Sequence, residues 1–133
     1  MKVTWPRSAV TKAVSEAQTT PLPPALFPIA EARRAPNSPG RLSALLLKHG
    51  SMELRWYAPK GEDPQTPHGQ DEIYIVASGA GVFLRAGERF RFGPGDALYV
   101  DAGVEHRFVE FSDDFAVWVV FYGPAGGEGR APS

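Results

Sequence analysis

Between Leu42 and Tyr122 no apolar run exceeds eight residues, and nearly every run is stopped by a glycine, a proline or a polar pair. Helices that pack into a core need longer patterns of period 3.6, so this punctuation confines the region to short strands and tight turns. The sequence predicts a strand over 43–48, a turn at His49-Gly50 and a return strand over 52–57. A polar loop over 58–67 follows, carrying Pro59, Pro64 and Pro67. Further strands are expected at 72–77, 81–86, 89–92, 97–100, 106–111 and 115–122, with Gly93-Pro94-Gly95-Asp96 as a sharp turn. About eight strands at near-even spacing predict an all-β domain, a small barrel or a jelly roll.

Alternation assigns the faces of these strands. Glu72, Tyr74 and Val76 share one face, expected to point inward, and Ile73 and Ile75 share the other. The strand over 115–122 is apolar on both faces, so both must be covered. The cover is expected from residues 1–40 or from a second subunit. That segment is proline-rich (Pro21, Pro23, Pro24, Pro28, Pro36, Pro39), which predicts an extended arm. Ala9-Val10 and Ala13-Val14 recur at helical spacing and allow one short helix within it. Leu26, Phe27 and Ile29 are too apolar for a free linker. The expected organisation is therefore an arm over 1–40, a barrel over 41–123 and a glycine-rich mobile tail over 124–133.

Composition removes several functions. The chain has no cysteine, which excludes disulfides, thiolate metal sites and cysteine nucleophiles. Fourteen Lys and Arg against fifteen Asp and Glu leave a net charge of -1, with no strong field for nucleic acid or an anionic membrane. The N-terminus lacks an apolar signal-type core, so a cytoplasmic location is expected. No serine sits in a nucleophile elbow, and no phosphate-binding or dinucleotide glycine pattern occurs.

The remaining chemistry gathers in two polar islands. In Pro67-His68-Gly69-Gln70-Asp71-Glu72, the spacing of two points His68, Gln70 and Glu72 the same way in an extended chain. In Gly103-Val104-Glu105-His106, His106 opens a strand. Two imidazoles and a carboxylate directed into one small barrel suit a divalent metal such as Zn, Fe, Mn or Ni. The alternative is that both histidines are ordinary half-buried polar residues. Tyr74 is a candidate catalytic phenol or a barrel filler. Glu110 is expected either to orient His106 or to lie at the barrel mouth. Arg55 is expected either to clamp a substrate carboxylate or to lie on the surface.

These islands resemble the two motifs of the cupin family. The first motif reads G-x5-H-x-H-x3/4-E-x6-G. Thr66 stands at its first histidine, His68 at its second, Glu72 at its acid and Gly79 at its closing glycine, while Gly61 falls one position short. The second reads G-x5-P-x-G-x2-H-x3-N. Gly95, Gly103 and His106 match it, with Asp101 in place of proline and Glu110 in place of asparagine. The resemblance implies a double-stranded β-helix, a jelly-roll barrel that is commonly dimeric. It carries His68, Glu72 and His106 over as ligands of one divalent metal ion. Thr66 lacks the third imidazole, and Gln70 or water is the expected substitute. The implied function is a metal-dependent enzyme acting on a small oxygenated metabolite, of dioxygenase, isomerase or decarboxylase type, with Glu72 or a metal-bound hydroxide as proton acceptor. The alternative is a non-catalytic binding or sensing cupin with a weakened metal site.

Overall fold

The computed structural model describes residues 21–129. One short helix, α1 (Ile29–Arg34), precedes eight strands: β1 (Ala44–His49), β2 (Met52–Tyr57), β3 (Asp71–Ser78), β4 (Gly81–Arg85), β5 (Glu88–Phe92), β6 (Ala97–Val100), β7 (His106–Val109) and β8 (Ala116–Tyr122). Every ladder is antiparallel. One sheet has the order β1-β2-β8-β3-β6 and the other β5-β4-β7. The all-β expectation holds, as two sheets enclosing one core. Among the described residues no ladder joins them into a closed barrel.

The period-two faces explain the core. Tyr74 and Val76 of β3 pair in register with Val119 and Val117 of β8, so one face of the large sheet is continuous. Phe83, Phe92 and Phe108 of the small sheet pack against it, together with Phe115. These rings meet at centroid distances from 4.7 Å for Phe108 and Phe115 to 5.6 Å for Phe92 and Phe108, the tilted and edge-on range aromatics favour. Gly79 closes this end. Its φ is +82°, and a Cβ there would lie 2.5 Å from the Phe115 Cα, so the motif glycine is required by both conformation and backbone approach.

The short helix covers part of the outer face, whereas Leu26 and Ile29 are exposed. Ala32 of α1 packs with Ala44, Trp56 and Ala116, and Trp118 joins them at the margin. Trp56 meets Trp118 edge-on at 4.9 Å, and the Arg33 guanidinium lies 5.3 Å from the Trp56 ring centre. Glu31 in the first turn and Arg33 and Arg34 in the last match the helix dipole. The helix allowed near residues 9–14 lies outside the described residues. The next row outward, Ile75 and Tyr99, is exposed.

Two expectations are corrected locally. The strand expected to reach residue 111 stops at Val109, because Glu110 turns into the left-handed region at φ 51°. The start of the C-terminal segment is tied down. Glu128 N–H donates to Asp71 Oδ2 at 2.8 Å, and Gly126 N–H donates to the Gly69 carbonyl at 2.7 Å.

Candidate metal centre

His68, Glu72 and His106 converge. One nitrogen or oxygen from each lies within 4.8 Å of the others. Glu72 and Tyr74 reach the interior because β3 begins at Asp71 and alternates inward from there. His106 is the first residue of β7, and His68 lies in the loop before β3, separated from it by Gly69 and Gln70. The two motifs are joined directly: Gly103 N–H donates to the His68 carbonyl at 2.8 Å. Gly103 has φ +78°, which fixes glycine at that turn. The His68 ring then stands between His106 and Phe121, with centroids 5.2 and 5.0 Å away.

Glu72 is the deepest member of this cluster. Its residue surface is 0% exposed, and among the described residues neither carboxylate oxygen accepts a hydrogen bond. His106 Nε2 stands 2.8 Å from Glu72 Oε1, but at an orientation that makes no hydrogen bond. The other ring nitrogen, Nδ1, lies 2.8 Å from the Val104 carbonyl, which can only accept. Nδ1 therefore carries the proton, and in the neutral ring Nε2 presents its lone pair toward the carboxylate. A lone pair facing a buried anion needs a cation at the same place. Burial alone would lower the His106 pKa, yet the Glu72 carboxylate and the Val104 carbonyl outweigh it and raise it. His68 moves the other way, chiefly because burial disfavours its charged form. Two imidazoles, one oriented by a backbone carbonyl, and an orphaned carboxylate fit a divalent ion.

Tyr74 O–H donates to Gln65 Oε1 at 3.1 Å and lies 3.1 Å from His106 Nε2. Burial, reinforced by Glu72, pushes its phenol well above the ordinary range. Other candidates fall outside the cluster. Gln70 sends its amide nitrogen to the carbonyls of Ser51 and Gly123, at 2.9 and 2.8 Å. The backbone bends at Gly69 and Gln70, so the spacing of two does not carry from His68 to Glu72. Glu110 is exposed and pairs with Arg89. Arg55 is buried, but its guanidinium is taken by Glu53 at 2.7 Å and by Ser38 and Ser43. Thr66 is exposed.

The sequence reading passed over Asp63 and Gln65, both buried. Asp63 accepts from Tyr57 O–H, Phe108 N–H, Gln65 N–H and Gln65 Nε2. Burial, with Asp63 beside it, raises the Tyr57 phenol pKa. The available signal was alternation within the loop, with Asp63 and Gln65 inward and Pro64 and Thr66 outward. A cavity of about 260 Å³ adjoins the cluster, lined among others by Arg41, Tyr57, Gln65, His68, Glu72 and Tyr74.

A family profile described as "Cupin domain" matches residues 54–122, more than half of the chain. The chain belongs to the cupin family. This cupin is 38% identical over 94 residues to an uncharacterized protein of Streptomyces coelicolor, covering 71% of the chain and 90% of that relative. It is similar in fold to a Cupin 2 conserved barrel domain protein from Salinispora arenicola, with a TM-score of 0.57 and 23% identity over 74% of this chain and 87% of the other. It also resembles the DMSP lyase DddQ of Ruegeria pomeroyi, with a TM-score of 0.51 and 26% identity, over 61% of this chain and 46% of the lyase. Among the described residues no helix is long and apolar enough to cross a membrane.

Proposed function

We propose that this cupin is a metal-dependent enzyme, centred on His68, Glu72 and His106, that acts on a small oxygenated metabolite in the adjoining cavity. The observation that carries the reading is the fully buried Glu72 carboxylate, without a hydrogen bond on either oxygen, beside two imidazoles. The donor set of two nitrogens and a carboxylate suits Zn, Fe, Mn or Ni. When bound, the ion supplies Lewis-acid polarisation of a substrate oxygen.

The chain's own residues do the rest. His106 is held in its ligating tautomer by the Val104 carbonyl. Tyr74, with its raised pKa, stays protonated at neutral pH and turns its one O–H, otherwise given to Gln65 Oε1, to a developing oxyanion. Glu72 has two oxygens, so one can hold the ion while the other accepts a proton. Arg41 borders the cavity and forms no ion pair among the described residues, so it favours an anionic substrate, such as a carboxylate. A second copy of the chain is the expected cover for Ile75 and Tyr99, and light scattering checks that.

Anaerobic loading with Fe(II), Mn(II), Ni(II) and Zn(II), followed by metal analysis, tests the centre. The wild type should retain about one equivalent of at least one metal, and His106→Ala should abolish uptake. Retention below about a tenth of an equivalent for every metal overturns the reading. The exposure of Thr66, where the motif has a third imidazole, favours a second reading as a binding module. A small carboxylate that raises the melting temperature of the metal-loaded protein but is never converted supports that module over the enzyme.

A further inference from the structure

The loop before β3 carries a donor that the family motif does not predict. We propose that Gln65 Oε1 fills the ligand position left open by Thr66, and that Asp63 holds the Gln65 amide in the ligating orientation. The inference rests on the metal reading above.

The orientation of the amide follows from chemistry. Gln65 Nε2 lies 2.6 Å from Asp63 Oδ2, and an ionised carboxylate only accepts, so the nitrogen faces Asp63 and the oxygen faces the site. Asp63 is itself fixed by Phe108 N–H at 2.7 Å and by the Tyr57 hydroxyl. Gln65 Oε1 then stands 3.0 Å from His68 Nε2. Around the same point, His106 Nε2 is 2.8 Å and His68 Nε2 is 3.8 Å from Glu72 Oε1. Donors bound at ~2.0–2.2 Å to one ion stand about 3 Å apart at right angles and about 3.5 Å apart in a tetrahedron. These three separations, 2.8, 3.0 and 3.8 Å, bracket those of one coordination shell, and Tyr74 O–H, which also donates to Gln65 Oε1 at 3.1 Å, leaves that oxygen a second lone pair for an ion. In the metal-free protein His68 Nε2–H donates to Gln65 Oε1. A metal would take the place of that proton. Gln65 is buried, with 7% of its surface exposed, so its oxygen has little access to bulk water as an alternative partner.

Cobalt(II) alone is the probe, read by its visible ligand-field bands and by chelator competition. Gln65→Leu should weaken binding at least about tenfold and shift the bands. Asp63→Asn, as a positioning change, should weaken binding by about 10-fold to 100-fold and also shift the bands. Gln65→Glu keeps an oxygen toward the site but sets a second carboxylate against Asp63 Oδ2, so it should still bind cobalt, with altered bands. A Gln65→Leu protein whose bands and affinity match wild type overturns this proposal and leaves the three-residue centre standing. Should Gln65→Leu not fold, an unchanged Gln65→Glu spectrum overturns it equally. Failure of the wild type to bind cobalt overturns the proposal together with the metal reading.

Discussion

At one end of the interior, Phe83, Phe92, Phe108 and Phe115 fill the space between the sheets with rings and no titratable group. At the other, Asp63, Gln65, Glu72 and His106 occupy equally buried positions. The two ends share strands. β3 passes from Glu72 through Tyr74 to Val76, and β7 from His106 to Phe108. Tyr74 sits at the join, edge-on to Phe108 at 4.9 Å and within 3.1 Å of His106 Nε2. The difference separates two jobs on one scaffold. Burial at the aromatic end stabilises the fold. Burial at the polar end leaves Glu72 unsatisfied and makes the site available to an ion.

The sharpest break between the ends is expected from Phe115→Ala. Removing this fully buried ring should cost about 3–5 kcal/mol, seen as a large loss in denaturant midpoint, while the folded fraction still binds metal. Gly79→Ala comes next, at about 2–4 kcal/mol, from positive φ combined with the clash against Phe115 backbone. At the polar end the sign reverses. Glu72→Gln should abolish metal uptake yet stabilise the chelator-treated protein by about 1 kcal/mol at about pH 8, because it removes an unpaired buried charge. A drop in the melting temperature of that metal-free variant contradicts the contrast drawn here.

The smallest expected effect lies outside both ends. The hydrogen bond from Arg55, working against burial, holds the Glu53 carboxyl below its ordinary value. A lowered folded value stabilises above the unfolded value, and the gain is lost as pH falls through the folded one. Wild type should therefore exceed Glu53→Gln by a few tenths to about 1 kcal/mol at neutral pH, and the gap should close below about pH 4 in acid-titrated melts.

The strands were legible because each inward face alternates cleanly. Glu72, Tyr74 and Val76 are buried as the spacing predicts, and Ile75 is not. His68, Glu72 and His106 were legible through residue type and motif spacing. Gln70 shows how the same rule misleads: alternation extrapolated beyond the first residue of β3 crosses a bend, and the side chain goes to the Ser51 and Gly123 carbonyls instead. Asp63 and Gln65 were hidden because polar residues among prolines look like a solvated loop, whereas here the loop runs into the interior. Helix α1 spans six residues, too few for a 3.6-residue pattern to show.

The hydrogen bond from Phe108 N–H to Asp63 reaches beyond the site. β7 is an edge of the small sheet, and an unpaired edge amide is a template on which a foreign strand can add. Asp63 occupies that amide with a charged side chain. The carboxylate beside Gln65 thereby also takes the place of a strand partner for this amide.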